Sequence, residues 1–299
     1  MRSHEQSIVE AVQRYYNNPQ TVYKFSLWAP DPRRPGVSAA HLGLDDVEYF
    51  HSNILRRMLD VLRHRRAVDR MTRLIIRESQ VEDGHAVLDA GCGTGSIAFP
   101  LAEQNKHAQI FAVSLSHSQL EVARKYQQSA GIKNVYFSEQ NFTRMAFREA
   151  SFDRVIFAES FCHAPNKLET IREVSRVLKP GGKVLIVDPL YLKPPAGEQL
   201  ILSEALGSTQ GLAMANLLSV EELVEALGRA GMQTEHILDL TKRVTASLAL
   251  IANGYINALT HGRAEPSALI DSYLAWYMLT AQGTLGYLSV RGRKLSSAS

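Results

Sequence analysis

The chain has 299 residues, 45% of them hydrophobic and 21% charged, which is enough to bury a large core in one elaborated domain or in one domain with a small cap. Its formal net charge of +3 is too small to indicate a nucleic-acid partner, and its two cysteines do not form the pattern of a disulfide framework. The first residues form a mixed polar and apolar stretch, and no segment approaches about 18 consecutive apolar residues, so we expect neither secretion nor membrane insertion. These features predict a cytoplasmic protein that binds neither nucleic acid nor a membrane.

The first 45 residues predict a helix followed by a lid. Apolar and aromatic side chains at 5–18 recur at helical spacing, and Asn17-Asn18-Pro19 ends that pattern. Prolines within 28–43 predict a loop. We therefore assign 1–45 to an N-terminal helix and lid, and 46–299 to the main domain. A helix outside the main domain can pack on a neighbouring subunit, so we expect a homo-oligomer.

Residues 44–80 predict a long helix that carries a basic cluster. The arginines alternate with acidic side chains, which is typical of a solvated helix face, and contact with an anion or a partner is the alternative. The cluster consists of Arg56, Arg57, Arg63, Arg65, Arg66, Arg70, Arg73 and Arg77.

From residue 85 onward, strand-like apolar runs alternate with helical segments. The strands are predicted at 85–90, 109–115, 134–137, 154–158 and 183–188, and the helices at 96–104, 118–130 and 167–178. This alternation predicts an α/β fold with a doubly wound, mostly parallel sheet. Ligands of such sheets bind beyond the carboxyl ends of the strands.

The pattern loosens after residue 188. We assign about 189–219 to a cap insertion, because it contains paired prolines and a Gly/Ser-rich stretch around a short helical run. A helix at 220–230, a strand at 233–239, further helix as far as residue 279 and a closing strand near 287–291 follow it.

The first strand ends in a glycine-rich turn, Val87-Leu88-Asp89-Ala90-Gly91-Cys92-Gly93-Thr94-Gly95. Its glycines allow a tight bend with no Cβ facing a ligand, and the N-terminus of the next helix offers free N–H groups to an anionic or carboxylate-bearing cofactor. The third glycine comes one position early for the dinucleotide pattern G-x-G-x-x-G, and no ribose-binding acid follows the second strand. A nicotinamide oxidoreductase is therefore a disfavoured alternative.

Two further segments complete the motif pattern around this turn. Residues 151–155 lead into the fourth strand and residues 178–182 into the fifth. In this order and spacing, the three segments resemble the class I S-adenosylmethionine-dependent methyltransferases. The resemblance implies a Rossmann-like methyltransferase fold, S-adenosylmethionine as the cofactor and S-adenosylhomocysteine as its product. It also implies that Asp89 orients the cofactor's amino-acid end beside Gly91, Gly93 and Gly95.

Two positions depart from the commonest pattern of that family. Ser114 stands where many members carry an acid that binds both ribose hydroxyls, so part of the ribose contact shifts to neighbours such as Gln119. Asn141 stands where an acid meets the adenine amino group, and the N–H of Phe142 can reach the adjacent ring nitrogen. The cofactor contacts implied along these strands are Ser114, Leu115, Gln119, Asn141, Phe142 and Glu159.

These departures, together with 15–18 and 40–44, resemble one branch of the family over roughly residues 10–190. That branch contains cyclopropane synthases, terpene C-methyltransferases that act on geranyl diphosphate, and teleocidin-type C-methyltransferases of indole-linked prenyl chains. The resemblance implies methylation at a carbon of a prenylated small molecule. Such a reaction leaves a carbocation that rearranges, cyclises or loses a proton.

A carbocation must be held by aromatic faces or carboxylates and then quenched by a base. Glu159, at the end of the fourth strand, matches the presumed base of the geranyl diphosphate branch, and His163 is the second catalytic candidate. Cofactor binding or turn capping by Glu159 and a purely structural His163 are the alternatives. The candidates for acceptor binding, which ordinary packing explains equally well, are Tyr15, Tyr16, Tyr23, Trp28 and His41.

Two other functions stay open. An O- or N-methyltransferase would use His163 or Glu159 to deprotonate its acceptor. A protein that binds S-adenosylmethionine without turning it over belongs to a different class. Metal catalysis is not expected, because the sequence has neither an H-E-x-x-H nor a C-x-x-C motif.

Overall fold

The computed structural model describes residues 4–18, 34, 38, 42, 44, 54–210, 212–260 and 268–296, without the side chains of 54–62, 254–255, 257–260 and 268–270. Seven strands form one sheet in the order β3-β2-β1-β4-β5-β7-β6. They are β1 Ala86–Ala90, β2 Gln109–Ser114, β3 Val135–Glu139, β4 Phe152–Ala158, β5 Leu178–Tyr191, β6 Met232–Asp239 and β7 Leu285–Lys294.

Strands β1 to β5 are parallel, and β7 is antiparallel to both β5 and β6. The predicted doubly wound, mostly parallel Rossmann-like sheet is therefore confirmed. The direction of winding reverses between β1 and β4, so the crevice beyond their carboxyl ends is the switch point where such folds bind ligands. The segment 178–182, which the sequence suggested as a lead-in, is already part of β5.

The described helices are α1 His4–Asn17, α2 Ile54–Ser79, α3 Ala98–Gln104, α4 His117–Ala130, α5 Lys167–Val177, α6 Gln199–Gly207, α7 Val220–Arg229, α8 Thr241–Thr260 and α9 Ala268–Ala281, with a 3₁₀ turn at Phe161–His163. Side chains of the central strands alternate between two core layers. In β1, Val87 enters one layer and Leu88 the other, and in β4 Ile156 and Phe157 divide in the same way. Both faces of the sheet are thus covered.

Helix α1 is amphipathic, as its spacing predicts, and uses its apolar face within its own chain. Ile8, Ala11 and Val12 are buried against Ala213. The C-terminal end of α1 lies on the segment that joins β2 to α4, where Asn17 accepts hydrogen bonds. Homo-oligomerisation through this helix stays a prediction.

The predicted cap at 189–219 contains one described helix, α6, and its Leu206 is fully buried. Helix α6 packs against α9, which lies between β6 and β7, and Ser272 of α9 donates a hydrogen bond to the carbonyl of Ala205 at 2.7 Å. The helical layer is therefore built from two insertions. The sequence predicted helix in both, but it assigned only the first to a cap.

The described part of the basic helix α2 supports the solvated-face interpretation. Arg73 pairs with Asp69 one turn away, Arg77 pairs with Glu78, and Arg70 donates to the carbonyl of Leu44. Across the described residues, no helix is both long and apolar enough to cross a bilayer.

Candidate active site

A cleft of ≈ 720 Å³, part of it open to solvent, lies beyond the carboxyl ends of β1, β2 and β4. The glycine-rich turn after β1 forms one wall, through Asp89, Gly91 and Gly93. Gly91 has a φ of +87°, and a Cβ there would overlap the side chain of Ser160. Gly95 lies outside the lining and has a φ of +92°. Its lack of a Cβ leaves room for the ring of Phe99, which a Cβ would meet at 2.6 Å.

Asp89 is buried, and its Oδ2 atom has no hydrogen-bond partner among the described residues. Burial raises the pKa of this carboxyl to about 7, opposed by the N–H of Ala98. A buried acceptor without a donor is costly, so a ligand that brings a donor or a positive charge to this wall would be stabilised. The amino-acid end of S-adenosylmethionine fits that requirement.

The residues after β2 form a second wall, which includes Ser114, Leu115 and Gln119. Ser114 donates to the side-chain oxygen of Gln119 at 3.3 Å and accepts from the N–H of Ser116 at 3.1 Å. Ser116 caps α4 by accepting from the N–H of Gln119, and donates to the carbonyl of Tyr16 at 2.8 Å. The wall therefore offers hydroxyl and amide groups, with no acid, where a ribose would lie.

Phe142 lines the cleft, and its ring packs edge-on against Phe157. Asn141 does not belong to the lining. Its side-chain oxygen accepts from both the N–H and the hydroxyl of Thr143, at 2.9 and 2.8 Å, which closes the turn after β3. Both lone pairs of that oxygen are already used, which disfavours a bond to the adenine amino group. The adenine contact assigned to Asn141 stays a prediction.

Glu159 follows β4 and has a φ of +51°, a backbone conformation that residues other than glycine rarely adopt. The N–H of Glu159 donates to the carbonyl of Val187 at 2.9 Å. The next three N–H groups, of residues 160–162, all donate to the buried carboxyl of Asp188 on β5, at 3.1–3.3 Å. These bonds hold the strained backbone and point the side chain of Glu159 into the cleft.

The carboxyl of Glu159 receives two hydrogen bonds on the same oxygen. Its Oε1 atom accepts from the hydroxyl of Tyr287 at 2.7 Å and from the N–H of Leu42 at 2.5 Å. Burial raises the pKa of Glu159 to about 8, opposed by these two bonds and reinforced by the nearby Asp188. The site thus holds a carboxyl that is easily protonated and fixed in place.

His163 and Tyr16 line the cleft together. The hydroxyl of Tyr16 lies 3.0 Å from Nε2 of His163, and their rings meet edge-on. Burial and then the charge of Lys167 lower the pKa of His163 to about 4. The carbonyls of Leu212 and Ala213 oppose that shift, although neither makes a hydrogen bond of ordinary geometry with Nδ1. The ring is therefore neutral at pH 7.

The other predicted acceptor residues are placed only in part. Tyr15 packs edge-on against Tyr16 and is not in the lining. Tyr23, Trp28 and His41 lie outside the described residues.

Several residues of the candidate site were not predicted from the sequence. Ser38 lines the cleft and exchanges hydrogen bonds with Thr94 of the glycine-rich turn. Asp188 ends the fifth apolar run, and that position at a strand end could have indicated it. No local signal marks Tyr287, which lies 128 residues from Glu159 in the sequence. In the described part of the chain, no three His, Cys, Asp or Glu side chains are grouped to hold a metal ion.

Residues 81–231, half of the chain, match a family model described as a methyltransferase domain, and the chain belongs to this family. The predicted cofactor, S-adenosylmethionine, is the one that the family uses, so that prediction is confirmed. The walls described above fit it, since they pair an unpartnered acid with hydroxyl groups and an aromatic ring.

Two curated relatives are methyltransferases. Methyltransferase GfsG of Streptomyces halstedii is 38% identical over 123 residues, which make up 41% of this chain and 44% of the relative. Sterol 24-C-methyltransferase ERG6A of Gibberella zeae is 32% identical over 182 residues, which make up 60% of this chain and 48% of the relative. The chain therefore spans about half the length of these relatives.

Among solved structures, geranyl diphosphate methyltransferase in complex with GPP and sinefungin superposes with a TM-score of 0.77. The superposition covers 96% of this chain and 100% of that chain at 18% sequence identity. At this identity the likeness shows the fold, and the acceptor has to be argued from the site.

Proposed function

We propose that the protein transfers a methyl group from S-adenosylmethionine to a carbon of the prenyl or terpenoid side chain of a small natural product. Glu159 would act as the base that takes the proton from the resulting carbocation. The observation that carries the proposal is the carboxyl of Glu159, which lines the cleft, is fixed by two donors and has a pKa of about 8.

Different walls of the cleft would bind different parts of the cofactor. When bound, S-adenosylmethionine supplies an electrophilic methyl group on a sulfonium. We assign its amino-acid end to Asp89, its ribose to Ser114 and Gln119, and its adenine to the side of Phe142. The chain then needs only to hold an acceptor carbon in line with the methyl group, because placement is the main demand of such a transfer.

Carbon methylation suits the electrostatics of this cleft. Methylating an alkene creates a positive charge, and an adjacent carboxylate stabilises that charge in surroundings of low dielectric. A positive charge beside Glu159 would favour its ionised form, which is the form that accepts a proton. The neutral His163–Tyr16 pair adds aromatic edges and a hydroxyl but no competing cation.

The class of acceptor follows from resemblance and from the names of similar proteins. The resemblance of 15–18 and 40–44 to the terpene C-methyltransferase branch supports a prenylated acceptor. The likeness of the chain to the teleocidin-type enzymes supports a prenylated indole, a class of indole alkaloid precursors. The sterol 24-C-methyltransferase relative and the geranyl diphosphate C-methyltransferase structures act, by their names, on isoprenoid carbons. We take a prenylated indole as the first acceptor to test.

O-methylation is the second candidate, because O-methyltransferases also occur among the relatives. Glu159 would then deprotonate a hydroxyl group. His163 is a poor base for that step, since its pKa of about 4 leaves little driving force for proton abstraction at neutral pH. Cofactor binding without product from any acceptor would instead support a non-catalytic protein.

The test is incubation with methyl-labelled S-adenosylmethionine and a prenylated indole, for wild type and for Glu159→Gln. We expect a labelled product and a loss of kcat of about 10²-fold or more in the variant, which keeps the shape of the side chain without its basicity. Glu139→Gln is the matched control, because Glu139 also ends a strand but pairs with His117 at the surface. Equal rates in all three proteins would overturn the role of Glu159.

A further inference from the structure

Tyr287 was not among the predicted site residues, yet it contacts the proposed catalytic carboxyl of Glu159 directly. It lies on β7, with 1% of its surface exposed, and its hydroxyl donates to Oε1 of Glu159. The N–H of Leu42 donates to the same atom, and the structure shows no described donor to Oε2. Both bonds thus select one oxygen of the carboxyl and leave the other for a ligand in the cleft.

The backbone of Tyr287 is fixed by the residues that follow the neighbouring strand β6. Its N–H donates to the hydroxyl of Thr241 at 3.0 Å, and its carbonyl accepts from the N–H of Leu240 at 2.9 Å. Both backbone groups therefore point away from β5, where Tyr287 lies opposite Pro189 in the register. The turn between β6 and α8 continues the β6 side of the ladder, so the backbone that carries the phenol is held in place.

We infer that Tyr287 is a positioning residue that orients the carboxyl of Glu159 so that Oε2 meets the acceptor. The inference rests on the proposed function and adds a residue to it. Tyr287 acts through Glu159, so it need not touch the acceptor or the cofactor. One backbone N–H, that of Leu42, leaves the carboxyl free to rotate. The phenol of Tyr287 is the second donor, and the two donors together fix the plane of the carboxyl.

The hydrogen bond has a measurable electrostatic consequence. Burial raises the pKa of Tyr287 well above its ordinary value, as does the neighbouring Glu159, so the phenol remains a donor throughout the accessible pH range. Donation favours the ionised carboxylate and lowers the pKa of Glu159. Removing the hydroxyl should therefore raise that pKa, and the ascending limb of a rate that needs ionised Glu159 should move to higher pH.

The experiment is the pH profile of kcat/KM for wild type and Tyr287→Phe. We expect the ascending limb of the variant to move up by about one pH unit, because a hydrogen bond to a charged group is worth about that much. At pH values on the acid side of the limb, kcat/KM of the variant should be about tenfold lower than that of wild type, and at high pH the two should be equal. Tyr191→Phe is the matched control, since that buried tyrosine on β5 donates to or accepts from Ser203 outside the cleft.

Direct titration separates this inference from the proposed function. The infrared carboxyl band of Glu159, identified by its loss in Glu159→Gln, can be followed against pH without any acceptor. A higher midpoint in Tyr287→Phe than in wild type is expected, and an equal midpoint overturns the inference. A raised midpoint with no carbon methylation of any prenyl acceptor would contradict the proposed function instead.

A second substitution guards against loss of packing in Tyr287→Phe. Fluorotyrosine at position 287 keeps the ring, and its more acidic phenol is a stronger donor. The titration midpoint of Glu159 should then move to lower pH. A change in the same direction as Tyr287→Phe would show that packing, and not donation, sets the pKa, and would overturn the inference.

Discussion

At the scale of single residues, Glu159 combines strain with burial. A left-handed backbone conformation costs a residue with a side chain roughly 1–2 kcal/mol. The hydrogen bonds that the following N–H groups donate to Asp188 offset that cost. Positions of this kind cluster at sites where the direction of a side chain matters more than local stability.

The raised pKa of Glu159 predicts a pH-dependent contribution to stability. In the unfolded chain this carboxyl has its ordinary pKa of 4.5, and in the folded chain its pKa is about 8. The folded state therefore binds an extra proton between these values, so the contribution is full below about pH 4.5 and is lost as the pH rises to about 8. Glu159→Gln should show a smaller decline in the free energy of unfolding between pH 5 and 8.

Urea denaturation at several pH values measures this decline, with Glu139→Gln as the control. Asp89 also has a raised pKa, so some decline should persist in Glu159→Gln. An identical pH dependence in wild type and Glu159→Gln would mean that Glu159 titrates normally in the folded protein.

The sequence indicated residues whose roles follow from their place after a strand, and missed those that depend on distant contacts. Asp89, Ser114 and Glu159 stand at strand ends, so the topology brings them to one crevice. Asn141 also stands near a strand end, yet its amide closes a local turn with Thr143. Alternatives of this kind depend on rotamers, and a sequence pattern does not specify them.

At the scale of elements, α1 covers the side of the cleft where the ribose contacts are predicted. Val12 and Tyr16 line the cleft, and the side chain of Asn17 accepts from both the hydroxyl of Ser116 and the N–H of Ser118, at 3.0 and 3.3 Å. The same Ser116 caps α4 beside the predicted ribose contacts. Docking of α1 and order in the ribose wall should therefore depend on each other.

Asn17→Ala tests this dependence. The variant loses the hydrogen bond from the N–H of Ser118 and the share of the Ser116 proton that is not donated to the carbonyl of Tyr16. This loss, worth about 1 kcal/mol in net effect, should weaken S-adenosylmethionine binding about fivefold, as calorimetry would measure. Arg14→Ala, at an exposed position of the same helix, should bind as wild type does. Unchanged affinity in Asn17→Ala would show that α1 and the ribose wall are independent.

The elements themselves were largely predictable, because apolar periodicity reports directly on burial. All seven strands were anticipated, including β6 and β7 beyond the loosened region. The packing of α6 on α9 was not, because these helices come from insertions 60 residues apart or more, as in the bond from Leu212 to Ser272. Sequence spacing within a helix does not reveal which distant helix covers it.

At the scale of the whole molecule, a network of ion pairs joins α2 to the antiparallel edge of the sheet. Glu78 of α2 pairs with Arg291 of β7 and His236 of β6, at 3.2 and 3.3 Å. Glu235 pairs with Lys183 of β5 and with Arg293. The network ties the last two strands, and hence Tyr287, to the parallel part of the sheet.

Glu78→Gln should lower the free energy of unfolding by about 2 kcal/mol, because it removes one of the two carboxylates that pair with the nearly buried Arg291 and leaves only Glu235, at 3.5 Å. Denaturant titration measures this loss. Glu225→Gln breaks an exposed pair with Arg229 one turn away and should cost less than about 1 kcal/mol. Equal effects would mean that the buried network contributes no more than a surface pair.

In the proposed reaction the methyl group goes to carbon, and the position of an isotope label in the product tests this. A prenylated indole is incubated with the protein and ¹³C-methyl S-adenosylmethionine, and the product is analysed by NMR for the atom bonded to the labelled methyl. We expect the labelled methyl group to be bonded to a carbon of the prenyl chain. A label bonded to oxygen or nitrogen would contradict it.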